Sequence, residues 1–132
     1  MASILSKLKN EKGQSAVEFA LIAILLFLVV FGITEFGRAW YRADLLKNAA
    51  NIGARTCAVS KVQATAEAAA QAAIPNYNAA TTTITVPNCA TQAAGSPVTV
   101  TISEPFNTAV PGLLPMLGSI AISRTATYSM EP

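Results

Sequence analysis

Polar positions open the chain, an unbroken apolar run follows, and after it come a periodic mixture of apolar and polar residues and finally alternating ones. No residue from Phe19 to Thr34 is charged. As a helix these 16 residues would cover about 24 Å at roughly 1.5 Å per residue, somewhat short of a bilayer's hydrocarbon core. Glu18 or Glu35, which bracket the run, must therefore lie near its boundary. Beyond it, Trp40 and Tyr41 suit an interfacial belt, with Arg38 and Arg42 reaching toward water. The pattern predicts a transmembrane helix over 14–37.

Past that helix Trp40, Ala43, Leu46 or Lys47, Ala50 and Ala54 recur at three- and four-residue steps, so a helix with one apolar face should continue outside the membrane. Glu35 and Arg38 can pair along it. Ala49 and Gly53 would admit a second helix closely, although alanine's helix propensity accounts for them equally well. Ser60 with Gln63 reads as a capping box, which predicts a kink or short break near Ser60. Ala64–Ala73 is then helical, with Glu67 and Gln71 on one side, until Pro75 and Asn76 end it.

From Pro75 onward the alternation becomes that of strands: Thr81–Val86, Val98–Ser103 and Ile120–Met130, with a turn over Asn88–Pro97. The expected fold is α+β, a long helix followed by a small antiparallel sheet packed on the helix end. Its parts are a leader (1–13), the transmembrane helix (14–37), an extracytoplasmic helix (38–74) and the β domain (75–132). Pro105–Gly118 is long for a structureless connection and apolar. Phe106, Leu113, Leu114 and Leu117 in it either form a partner surface or complete the small core.

Composition narrows the function. Only 12% of the 132 residues are charged, about half the usual share for a soluble domain. The net charge of +2 makes no basic stripe, so nucleic acid is not an expected partner. Without a histidine the chain lacks the commonest general base and zinc ligand. Asp44, Glu67 and Glu104 fall on separate segments and read as solvated charges. No phosphate loop, metal cluster or nucleophile motif is present, so neither catalysis nor a cofactor is expected. Cys57 and Cys89 are too far apart for a CxxC site; they form one disulfide in an oxidising compartment or stay as two small buried hydrophobes.

The amino-terminal segment carries Lys7, Lys9 and Lys12 against Glu11, which favours a cytoplasmic amino terminus, a bias weakened by Arg38, Arg42 and Lys47 on the far side. An ordinary secretory signal fits poorly, because no small-x-small cleavage site follows the apolar run and an acid precedes it. The stretch Lys12-Gly13-Gln14-Ser15-Ala16-Val17-Glu18-Phe19-Ala20 resembles the class III signal of type IV prepilins. The resemblance implies cutting between Gly13 and Gln14 by a prepilin peptidase facing the cytoplasm. It also makes Glu18 the acid that pairs with a neighbouring subunit's free amine and sets subunit register. A carboxylate at the edge of hydrocarbon wants such a partner; the competing reading is that it reaches headgroup water.

Glu35-Phe36-Gly37 and the segment from Asn48 to Arg55 are similar to the TadE-like family, as, more loosely, are the Pro105–Gly118 stretch and the last strand. This similarity implies a minor pseudopilin of the tight-adherence (Flp) type IV pilus, single-pass in the inner membrane with its carboxyl-terminal domain outside the cytoplasm. Implied partners are the prepilin peptidase, other pilins or pseudopilins, inner-membrane assembly proteins and membrane lipid. Two other functions fit the same residues: a filament-forming pilin packed through Ala20 to Ile33, and a membrane-anchored binding module that never enters a filament.

Overall fold

The computed structural model describes residues 11–109 and 119–132. Their contacts divide between Gly37 and Arg38 into two compact units. A single helix, α1 (Glu11–Ser60), runs through both sequence ranges over 50 residues. It contains no proline, and its alanines and leucines are strong helix formers.

α1 ends at Ser60, where the expected break occurs. Lys61 adopts a left-handed φ of 57°, and its N–H donates to the Cys57 carbonyl at 3.0 Å, closing the last turn. The capping box does not form. Ser60 Oγ donates back to the Thr56 carbonyl at 2.7 Å and accepts from the Val62 N–H at 3.3 Å, which makes it part of the terminus of α1. The next helix, α2 (Gln63–Ala72), starts from an extended Val62 with no side-chain cap. The Gln63 amide donates instead to Glu67 at 2.8 Å and to the Val86 carbonyl at 3.2 Å.

Three antiparallel strands follow, β1 (Thr83–Thr85), β2 (Pro97–Asn107) and β3 (Ser119–Ser129), in the order β1-β2-β3. Between β1 and β2, a short 3-10 helix at Cys89–Thr91 is opened by Asn88, whose side chain accepts from the Ala90 N–H. Gly95 then turns the chain at φ 78°. β2 is longer than its alternation suggested. It continues through Glu104, Pro105 and Phe106 to Asn107, taking in the start of the stretch expected to be loop. Pro105 is tolerated because β1 pairs β2 only at Thr101–Ser103, which leaves β2 a neighbour on one side at that level.

The sheet's two faces differ sharply. Val98, Val100 and Ile102 are fully buried on one. The other carries hydroxyl pairs, with Thr99 and Thr127 at 3.0 Å and Thr101 and Thr125 at 3.3 Å. Ala43, Leu46, Ala49, Ala50, Ala54, Cys57 and Ala58 from α1 join Ala66, Ala70 and Ile74 and the inner sheet face in one core. Of the alternatives at the third repeat position, Leu46 is buried and Lys47 is exposed; Trp40, 67% exposed, lies outside the core.

Gly53 marks the tightest point of this core. A Cβ there would come within 3.1 Å of Ala70 Cβ and 3.4 Å of Val100 Cγ1, so the small residues of α1 serve approach to α2 and β2 of the same chain. Gly53→Val should therefore lower stability by at least ~1–3 kcal/mol through overpacking. Gly32→Ala, with nothing within 4 Å of the new carbon, should leave it unchanged or slightly higher. Thermal unfolding of the detergent-solubilised protein followed by circular dichroism distinguishes the two.

Candidate membrane and assembly site

The first unit offers a bare apolar helix surface. Phe19, Leu21, Ile22, Ile24, Leu25, Leu26 and Phe27 are each more than 60% exposed. The helix satisfies its own backbone, as a segment in hydrocarbon must, and the hydroxyl of Thr34 is absorbed by the Val30 carbonyl at 2.9 Å. By length and composition α1 is able to cross a membrane.

At the start of this surface, Gly13 and Gln14 are helical and exposed. A Cβ on Gly13 would meet nothing within 4 Å. Glu18, one turn on and also exposed, accepts a hydrogen bond from the Gln14 side-chain amide at 3.1 Å. The two residues expected at the leader junction and the acid expected to set subunit register thus share one stretch of helix. Residues 1–10 of the leader lie outside the described residues.

The second unit is held at two points. One is covalent: Cys57 on α1 is bonded to Cys89 in the 3-10 helix, with Cα atoms 5.4 Å apart and both residues fully buried. Of the two readings of the cysteines, the paired one holds. The other is polar and unforeseen. Arg42 grips the Glu104 carboxylate through Nε at 3.2 Å and Nη2 at 3.0 and 2.8 Å, while Nη1 donates to the Pro75 carbonyl at 3.1 Å. Thr82, itself buried, donates to the same carboxylate at 3.2 Å.

Arg42 was expected to reach toward water and Glu104 to be a solvated strand-end charge. Both are instead largely enclosed, at 21% and 16% side-chain exposure, because β2 continues past Ser103 and carries Glu104 to α1. The only cue in sequence was an acid one residue beyond a strand pattern. Of the two readings of Phe106, the packing fits the one that adds it to the core. It is half-buried against the core, with the Arg38 guanidinium 5.5 Å from its ring centroid, a cation–π distance. It completes the core edge, whereas Leu113, Leu114 and Leu117 lie outside the described residues.

With this geometry in place, a family model described as TadE-like protein matches residues 13–55. Over that stretch the chain is similar to TadE-like proteins. The match opens at Gly13 and closes at Arg55, so it covers the apolar helix and the Asn48–Arg55 segment, about a third of the chain. The similarity suggests an association with the tight-adherence pilus system. Searches of curated proteins and of solved structures found no match.

The two ties make separable predictions. Closing a loop of 32 residues removes chain entropy from the unfolded state worth about 3–4 kcal/mol, so a Cys57→Ala, Cys89→Ala double variant should lose roughly that much in chemical unfolding. Glu104→Gln keeps the shape but removes the charge facing Arg42 and should cost about 1–3 kcal/mol. An Arg42→Met, Glu104→Gln double variant should lose less than the two single variants together, measured in the same assay.

Proposed function

We propose that this chain is a minor pseudopilin of a tight-adherence pilus, cut between Gly13 and Gln14 by a prepilin peptidase and then held in the inner membrane by α1. The amino terminus is cytoplasmic, in keeping with Lys7, Lys9 and Lys12, and the second unit is extracytoplasmic, in keeping with its disulfide. Its work is association, with pilins, assembly proteins and lipid as partners and no chemistry of its own.

The observation that carries this reading is the coincidence of the family match with the cleavage motif. The match begins at Gly13, the residue before the proposed cut, and continues along a helix whose large apolar side chains are exposed. Glu18 then serves as the acid that meets the new amine of an adjacent subunit. Before cutting, its partner is the side chain of Gln14, the same residue that would acquire that amine. Cleavage thus changes the charge beside Glu18 without requiring a new residue there.

The test is intact-mass and amino-terminal analysis of the protein from its native membrane, beside a Gly13→Ala variant. An alanine at 13 meets no steric obstacle, so any loss of cutting reports recognition by the peptidase. The expected result is a mature chain starting at Gln14, absent in the variant. A wild-type chain retaining residues 1–13 would overturn the proposal and leave the membrane-anchored binding module as the better account.

A further inference from the structure

β3 is an edge. Among the described residues it pairs only with β2, and its 11 residues present about 37 Å of backbone along the open side. Edge strands are commonly short or interrupted by proline; β3 is neither. The helical layer also covers it incompletely. Of its inward-facing positions, set by register with buried Val98, Val100 and Ile102, Ile120 is 44% and Tyr128 42% exposed. Arg124 is exposed between them.

Alongside this edge runs a groove of about 370 Å³ lined by Trp40, Ala43, Asp44 and Lys47 of α1 and by Arg124 and Thr125 of β3. The side chains of a fourth strand added to β3 would alternate between the hydroxyl face and this groove. The groove has two cations to one anion; Trp40 and Ala43 are its apolar walls, and Thr125 adds a hydroxyl.

We propose that β3 is completed by an extended segment of a different protein, which adds a strand to the edge and places an aspartate or glutamate in the groove between Lys47 and Arg124. The register argues against a second copy of this chain. Neighbouring residues on paired strands face the same side, so a second β3 could offer Arg124 Ile120, Ile122, Ala126, Tyr128 or another Arg124, or, with its sheet turned over, the serines, threonines and Ala121 of its other face. None is acidic. An inward charge on an edge strand opposes indiscriminate pairing, and here it selects a partner carrying the complementary acid. The inference does not depend on processing at Gly13 or on the membrane role of α1.

The experiment places the photo-cross-linking amino acid p-benzoylphenylalanine at Thr125 of the full chain, expressed in its native cells and irradiated there, with the linked peptide identified by mass spectrometry. The expected adduct joins Thr125 to a second protein within two residues of an aspartate or glutamate. Arg124→Glu should reduce its yield at least about tenfold, and changing the partner's acid to lysine should restore it in that background. Because Arg124 is exposed, Arg124→Glu should keep the Cys57–Cys89 disulfide, checked by mass with and without reductant. An adduct of the chain with itself, a linked peptide without an acid, a yield indifferent to Arg124→Glu, or no adduct would each overturn the proposal.

Discussion

The second unit depends on how closely α1 lies against α2 and the sheet. Alanine at 43, 49, 50, 54 and 58 and glycine at 53 line the contact, which removes the spacing that larger side chains would impose. Close approach brings Val98, Val100 and Ile102 into full burial, but alanine contributes little apolar area. A small core built this way yields less hydrophobic stabilisation than one of leucine and isoleucine. Leu46 is the largest of its fully buried side chains, which shows how thin the packing is.

That thinness explains the two ties. The disulfide acts chiefly on the unfolded chain by joining segments 32 residues apart, and the Arg42–Glu104 contact acts on the folded one. The guanidinium reaches both carboxylate oxygens of β2 and the Pro75 carbonyl beyond α2, while Thr82 meets the same carboxylate from the segment entering β1. One ion pair thus gathers three parts of the chain at the end of the sheet where β1 has stopped. Partial enclosure strengthens each hydrogen bond and raises the cost of losing either partner.

Periodicity made the long helix, α2 and three strands legible, because each rests on local alternation or on punctuation by proline and glycine; the break after Ser60 was legible only through a capping box that does not form. Ala43, Leu46, Ala50 and Ala54 were identifiable as the buried face for the same reason. What escaped was non-local. Ser60 and Gln63 have the right types and spacing for a capping box, yet the left-handed turn at Lys61 commits Ser60 to α1 and frees Gln63 to reach Val86. The alternation of the second strand stops at Ser103, and only the shortness of β1 explains why the strand continues past Pro105 and why Glu104 meets Arg42. The Gly13–Glu18 group was legible as a motif, and the structure adds that Gln14 and Glu18 touch.

Side-chain size divides α1 as clearly as charge does. Up to Phe36 its apolar residues are mostly large and exposed; from Ala43 to Ala58 they are mostly small and buried. Leaving one large apolar side chain in water forgoes about 1.5–3 kcal/mol, so a surface carrying many of them calls for lipid or other apolar helices. Hydrophobicity cannot choose between those two, since a leucine is as well solvated by lipid tails as by another helix. Selection must come from packing shape and from whatever polar group the surface carries. Between Gln14 and Thr34 the one ionisable side chain is Glu18, and an unpaired carboxylate in hydrocarbon is costly. In the proposed assembly, the specificity of an otherwise featureless apolar helix therefore rests on that residue and on the chemical state of Gln14 beside it.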